Sequence, residues 1–296
     1  MLRVVTAAAV VATLFCFATA SPASGEPPSP DGETSVVDKD VGEAQPGYGA
    51  ELASDGRYLA NNLEADVEDI VTAPLHVDAL GDLLRKPATY YTLLGAGAAL
   101  GGAFALDETL RAHARTMSSS AALDLETAGT AFVAGGTVLL YGYGLQTNDV
   151  RARQFALTGG ASAGIASLVT LAFKYGFGRT RPYQGKGAFN FFDHGQSFVS
   201  GETTPGFSLA AAVSEYFDND WRVAVPMYTA ALAVGVGRMG HDAHWASDVV
   251  GSAIVGIGTT ELLLYLHRDH ENDPSRFRIF PVAEEHGGGL CATYDW

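Results

Sequence analysis

Lys174-x6-Arg181-Pro182, Ser200-Gly201 and Arg238-x5-His244-x3-Asp248 follow one another between residues 174 and 248. Their side chains suit one task. Lys brings a point charge and Arg a planar fork that matches two phosphate oxygens. Pro182 prevents a helix from continuing and fixes the backbone after Arg181. A histidine that attacks phosphorus must be neutral and in the right tautomer. A carboxylate that accepts a hydrogen bond from one ring nitrogen leaves the other free and stabilises the charged product. At i and i+4, His244 and Asp248 share a helical face or meet across a helix start. Arg238 would complete an anion clamp, because phosphoryl transfer depends mostly on positioning and charge neutralisation. Glu202, next to Gly201, stands where such chemistry wants a group that can donate a proton to the leaving oxygen.

These residues need helices to hold them. Long uncharged segments run over Ala88–Leu106, Thr127–Thr147, Phe155–Phe173, Val223–Gly237 and Val249–Leu266, the last broken only by Glu261. A shorter stretch, Phe207–Phe217, makes six. They are apolar on nearly every face, so they belong inside a bundle or in a bilayer. Small residues such as Gly95 to Gly102 favour close helix contact, though a mean hydropathy of +0.11 is modest for six spans. Thr203 or Thr204, with Pro205 behind, marks a helix start. Ser200, Gly201 and Glu202 then sit at a helix N-terminus, where free N–H groups and the dipole favour an anion. Gly201 lets the backbone come close to it. Taken singly, each motif has a plain structural explanation: a basic helix flank, a capped helix start, a His–Asp pair at a cap. Their conjunction at the ends of apolar helices carries the reading.

The 296 residues carry a net charge of -15, which argues against nucleic acid as a partner. Residues 21–80 hold 13 Asp/Glu against Lys39 and Arg57. The expected organisation is a secretory signal over 1–20, ending Ala18-Thr19-Ala20, and an acidic solvated linker over 21–56. An amphipathic flanking helix is expected within 57–87, stopped by Pro74, then the helical bundle over 88–268 and a tail over 269–296. In the tail, alternation of Phe277 and Ile279, then of Leu290, Ala292, Tyr294 and Trp296, around Gly287-Gly288-Gly289 reads as a small β-hairpin. With Cys16 removed, Cys291 would be the sole cysteine and no intrachain disulfide could form. A cleaved signal followed by three spans would place Lys174 inside, with Arg85-Lys86 outside against the positive-inside tendency. Either the signal is retained, or some segments do not span, or the bundle is not transmembrane.

Lys174-x6-Arg181-Pro182, Ser200-Gly201 and Arg238-x5-His244-x3-Asp248 together resemble the three-part signature of the type 2 phosphatidic acid phosphatase and vanadium haloperoxidase superfamily. The resemblance covers roughly 88–268, and the string from Asp242 to Gly251 looks like the bacterial membrane members. It implies an all-α, membrane-associated six-helix bundle. Lys174, Arg181 and Arg238, with Ser200 and the Gly201 backbone, would bind phosphate. His244 would form a phosphohistidine, oriented by Asp248. It implies no metal and no cofactor, and a lipid phosphate or another phosphoester as substrate, in the inner membrane or periplasm of a bacterial-type envelope.

Two of the motifs depart from that family's pattern. Its second motif usually reads Pro-Ser-Gly-His, and here it is Val199-Ser200-Gly201-Glu202; Gly237 stands where the third usually has Ser. The missing histidine is the family's general acid. Glu202 could replace it if its pKa rose toward neutrality. The rival is a catalytically weakened anion- or lipid-binding membrane protein. A vanadium-dependent haloperoxidase is disfavoured, since that chemistry also wants the missing histidine. His241 and His244 with Asp248 imitate a metal site, but the neighbouring cations oppose one. His194 is a substitute acid or a solvated loop residue; His267 and His270 lie at a helix end or in the tail.

Overall fold

Each uncharged segment read above falls within a single helix, apart from Phe217, which caps one. The computed structural model describes residues 48–72, 87–272, 277–284 and 287–294. The proposed signal, most of the acidic stretch and residues 73–86 lie outside the described residues. Among the described residues there are seven α-helices: α1 Tyr48–Thr72, α2 Pro87–Ala114, α3 Ser119–Thr147, α4 Val150–Phe177, α5 Thr203–Tyr216, α6 Trp221–Gly240 and α7 Ala246–Asn272. A 3-10 turn, Pro182–Gln184, lies between α4 and α5, and strands β1 Phe277–Glu284 and β2 Gly287–Tyr294 pair antiparallel after α7. Helix α1 takes in residues 48–56, which composition had assigned to the acidic linker.

Local signals set the turns. Ser118 and Asp149 cap α3 and α4 by accepting from Ala121 N and Ala152 N. Asn148 ends α3 and Gly178 ends α4, both in the left-handed region, with φ of 59° and 54°. The tight Asn148-Asp149 link makes α3 and α4 antiparallel neighbours.

The short α5 is the hub, packed against α3, α4, α6 and α7. Thr203, Thr204, Gly206 to Ser208 and Ala210 to Ser214 are all buried. Small residues allow this. A Cβ on Gly159 of α4 would lie 2.8 Å from Ala212 Cβ, and one on Gly256 of α7 would lie 2.5 Å from Thr204 O. Helix α2 leans on α7. Among the described residues, four segments are long and apolar enough to cross a membrane: Ser119–Thr147, Val150–Gln184, Trp221–Gly240 and Ala246–Tyr265. Val138, Leu139, Leu168 and Leu171 point outward from the first two. Helix α5, at 14 residues, is too short for that span.

The two ends of the bundle are both polar. At one end α1 is pinned by an ion pair between Arg153 Nε and Asp55 Oδ2 (3.1 Å), to which Tyr141 OH also donates (2.8 Å). Tyr58 OH reaches His267 Nδ1 at 3.0 Å and Thr158 Oγ1 at 3.1 Å. His267 therefore serves α1. The opposite end gathers the C-termini of α2, α4 and α6 with the N-termini of α3, α5 and α7.

Gly256→Val should force α5 and α7 apart and cost about 1–3 kcal/mol of stability. A lowered thermal midpoint of the purified protein, relative to wild type, is the expected reading.

Candidate active site

Helix α4 ends by delivering Lys174 in its last turn, where Gly178 N–H closes on Lys174 O at 3.0 Å. The chain then turns through Arg181, whose backbone N–H is held by Gln184 Oε1 at 2.7 Å. Arg111 of α2 steadies this stretch and the one before His244. Its Nη2 donates to Pro182 O (2.6 Å), its Nε to Asp242 Oδ1 (2.6 Å), and its guanidinium lies over Trp245 at 5.3 Å.

The second element sits ahead of α5. Ser200 is buried: its N–H donates to Ser252 Oγ of α7 (2.9 Å), and its Oγ accepts from Thr203 Oγ1 (2.9 Å). The threonines do not cap, contrary to the sequence reading. Glu202 is the N-cap residue, with helical φ/ψ and no side-chain cap bond; Thr203 and Thr204 hydroxyls are spent on Ser200. A Cβ on Gly201 would point at Lys174 Nζ, 3.4 Å away, so the glycine opens the cradle toward the lysine.

The third element closes the site. Arg238, in the last turn of α6, has Nη2 3.2 Å from Glu202 Oε1 and Nη1 3.6 Å from Glu126 Oε2 of α3. Glu126 is also 2.7 Å from His241 Nδ1, so His241 is engaged away from any metal role. Among the described residues, no group of three or more His, Cys, Asp or Glu is placed to hold a metal. His194 lies exposed on its loop.

His244 is buried in the loop before α7. Its Nδ1 is 3.4 Å from Asp248 Oδ2, and its Nε2 is 3.7 Å from Glu202 Oε2. That Nε2 is buried and has no hydrogen-bond partner, and the same holds for Arg238 Nε. Buried orphans of this kind are costly, and both belong to the residues a bound anion would engage. Arg181 and Lys174 act electrostatically on His244 from α4 and its following loop. The structure thus brings Lys174, Arg181, Ser200, Gly201, Glu202, Arg238, His244 and Asp248 to one end of the bundle.

Burial holds the His244 ring below its usual pKa; the hydrogen bond and charge of Asp248 oppose that, and Arg181 and Lys174 reinforce it. Burial pushes the Glu202 carboxyl up, but Arg238, a protonated His244, its own backbone N–H and Lys174 outweigh burial and leave it below the ordinary glutamate value. These neighbours favour the carboxylate form of Glu202, the opposite of the elevation a general acid would need.

The support of Asp248 was not foreseen from the sequence. Asp248 is fully buried and accepts from Arg179 Nη1 (2.6 Å), Trp245 N (2.9 Å) and Ser197 Oγ, besides facing His244. Arg179 is itself fully buried and also meets Asp107 Oδ2 at 2.6 Å. Asp107 and Glu126 are acids at the edges of the apolar stretches Ala88–Leu106 and Thr127–Thr147. Their position beside uncharged helices was the available signal. Arg179 sits two residues before Arg181, in the same loop, but its side chain goes to the carboxylates rather than the cradle.

A buried His–Asp pair stands beside three cations and a helix N-terminus at one end of an α-helical bundle, an arrangement whose charges suit an anion such as phosphate. Residues 155–271 match the PAP2 superfamily. The chain is also 33% identical over 117 residues to the lipid A 1-phosphatase of Porphyromonas gingivalis; the match covers 39% of this chain and 24% of that protein. The matched part is about a quarter of the length of that curated relative. No solved structure matches the chain.

Removing one partner of a buried ion pair leaves the other charge uncompensated. Asp248→Ala should cost about 3–5 kcal/mol through Arg179, whereas Ser197→Ala, which removes a single neutral donor, should cost about 1 kcal/mol. Chemical denaturation of the two variants beside wild type measures the gap.

Proposed function

We propose that this chain is a membrane-associated phosphatase that hydrolyses a phosphomonoester or pyrophosphate, with a lipid phosphate as substrate, through a phosphohistidine on His244. The observation that carries the reading is His244 Nε2, buried and without a partner, on a ring whose other nitrogen faces Asp248. The lipid A phosphatase relative and the four apolar helices favour a lipid.

The reaction runs in two balanced steps. Lys174, Arg181, Arg238, Ser200 and the Gly201 backbone hold the phosphate oxygens. His244 Nε2 gives its electron pair to phosphorus, the P–O bond to the alcohol breaks, and the alkoxide takes a proton from Glu202. Water then attacks the P–N bond and loses a proton to Glu202. Inorganic phosphate leaves, and neutral His244 and protonated Glu202 are restored. Asp248 stabilises the positively charged ring formed in the first step. Bound phosphate offsets the cations that hold Glu202 ionised, which lets it carry a proton. No step calls for a metal.

The pH dependence follows from the signs. The productive free form needs Glu202 protonated and His244 neutral, and both groups lie below their ordinary values. As pH rises past Glu202, the acid is lost; as it falls past His244, the nucleophile is lost. The profile of kcat/KM should therefore peak on the acid side of the usual histidine value of about 6.5. A peak above neutrality would contradict the assignment.

Phosphate release from lipid and soluble phosphates tests the whole reading. It should be blocked by vanadate, survive EDTA and vanish in His244→Ala; persistence in that variant would remove His244 as the nucleophile. Glu202→Gln should slow alcohol release from alkyl phosphates by about 10²–10⁴-fold yet spare the initial burst of p-nitrophenolate from p-nitrophenyl phosphate, whose leaving group needs no proton, while the later turnover slows because water has lost its base.

A second reading, a weakened anion- or lipid-binding protein, draws on one observation. The Glu202 carboxylate already bridges Arg238 and His244, in the space a phosphate would take. It predicts saturable vanadate binding, tighter in Glu202→Gln, with no turnover of any phosphate. Halide oxidation in the presence of vanadate would point instead to the haloperoxidase chemistry.

A further inference from the structure

Asp107 lies on α2, ahead of the segment that matches the superfamily. Its side chain and that of Arg179 are both fully buried. Arg179 spans two carboxylates: Nη2 meets Asp107 Oδ2 and Nη1 meets Asp248 Oδ1, each at 2.6 Å. Phe104, Phe191 and Trp245 surround its guanidinium at 4.9, 5.1 and 5.4 Å, and Ala188 O takes two of its N–H bonds. At 0% exposure the Arg179 charge is set by these partners rather than by direct solvent contact.

A buried arginine paired with Asp248 alone would cancel the charge that a positive His244 ring needs. Asp107 prevents that. With two carboxylates on one guanidinium, the trio keeps one net negative charge, and Asp248 remains an anion toward His244. Asp107 does a second thing. Its Oδ1 accepts from Ser247 N (2.8 Å) and its Oδ2 from Ser247 Oγ (2.6 Å), which fixes where α7 starts, between His244 and Asp248.

We propose that Asp107 is a positioning residue for His244, acting through Arg179 on the charge of Asp248 and through Ser247 on the start of α7, so that helix α2 completes the site from outside the matched segment. This rests on His244 as the reactive group. The other charges acting on that ring are Asp248 from α7, Lys174 from α4, Arg181 from the loop after it, and Glu202 ahead of α5, which in turn meets Arg238 of α6. Glu126 of α3 acts on it through Arg238. None of these changes in the variants below.

The test is the titration of the His244 ring, followed by NMR in the full chain and assigned with His244→Asn, in four variants. Asp107→Asn leaves Arg179 undercompensated and should lower the His244 pKa on the order of one unit, as for a unit charge roughly 10 Å away at an effective dielectric constant of about 20. Arg179→Gln should shift it the opposite way. The double variant, Asp107→Asn with Arg179→Gln, restores the net charge and should return it close to wild type. Because it carries no unpaired buried cation, it also keeps the test open if Asp107→Asn fails to fold. Ser247→Ala removes hydrogen bonds without altering charge and should leave the titration in place. In turnover, Asp107→Asn should reduce kcat by about tenfold with KM unchanged. An unmoved His244 titration in Asp107→Asn and Arg179→Gln, or equal shifts in Asp107→Asn and Ser247→Ala, would overturn the proposal. A shifted titration in a chain with no phosphatase activity would sustain it while removing the proposed function.

Discussion

The buried guanidinium of Arg179 is the constraint on which the active end of this bundle depends. It cannot be deprotonated, it is fully buried, and it must find carboxylates. It finds one on α2 and one on α7, and so joins the loop after α4 to two helices that are far from it in sequence. Breaking either pair would leave charge buried without a partner, which makes the arrangement close to all-or-none. Phe104, Phe191 and Trp245 complete the enclosure, and Trp245 sits next to His244 in the chain. The geometry of the reactive ring is thereby tied to a charge network it does not touch directly.

The outer cradle and this inner network obey different electrostatic rules. Lys174, Arg181 and Arg238 form a cationic surface on which Arg238 meets both Glu202 and Glu126. The Arg179 network is internally compensated. That division explains why two arginines only two residues apart behave so differently: Arg181 is left half-buried at the rim, while Arg179 is driven wholly inside. Glu202 stands at the border. It shares Arg238 with Glu126 and faces His244 Nε2, so its carboxylate offsets part of the positive charge gathered there.

Much of the helical frame could be read from uncharged runs, because a segment apolar on all faces has few alternatives to a packed helix. The grouping of Lys174, Arg181, Ser200, Arg238, His244 and Asp248 was legible because each stands at the end of such a run. Other features were hidden for identifiable reasons. The partners of Asp248 include Arg179 and Ser197, and Arg179 in turn meets Asp107; no local pattern links an aspartate on one helix to an arginine in a loop 72 residues away. The start of α5 was misjudged at Thr203 and Thr204 because cap propensity is local, whereas both hydroxyls are claimed by Ser200 in the folded chain. The state of Glu202 was beyond sequence too, since burial and cations push it in opposite directions and only their distances decide.

The close contacts of α5 have a mechanical consequence. Gly159 and Gly256 let neighbouring helices touch its backbone, so it is gripped along its length rather than merely packed beside them. Ser200, Gly201 and Glu202 are carried on its leading end. A slip of α5 by one residue would move them by about 1.5 Å along the axis, roughly three times the play a preorganised site tolerates. Two glycines in the middle of the bundle therefore act as a depth gauge, setting how far the anion-binding end projects toward His244.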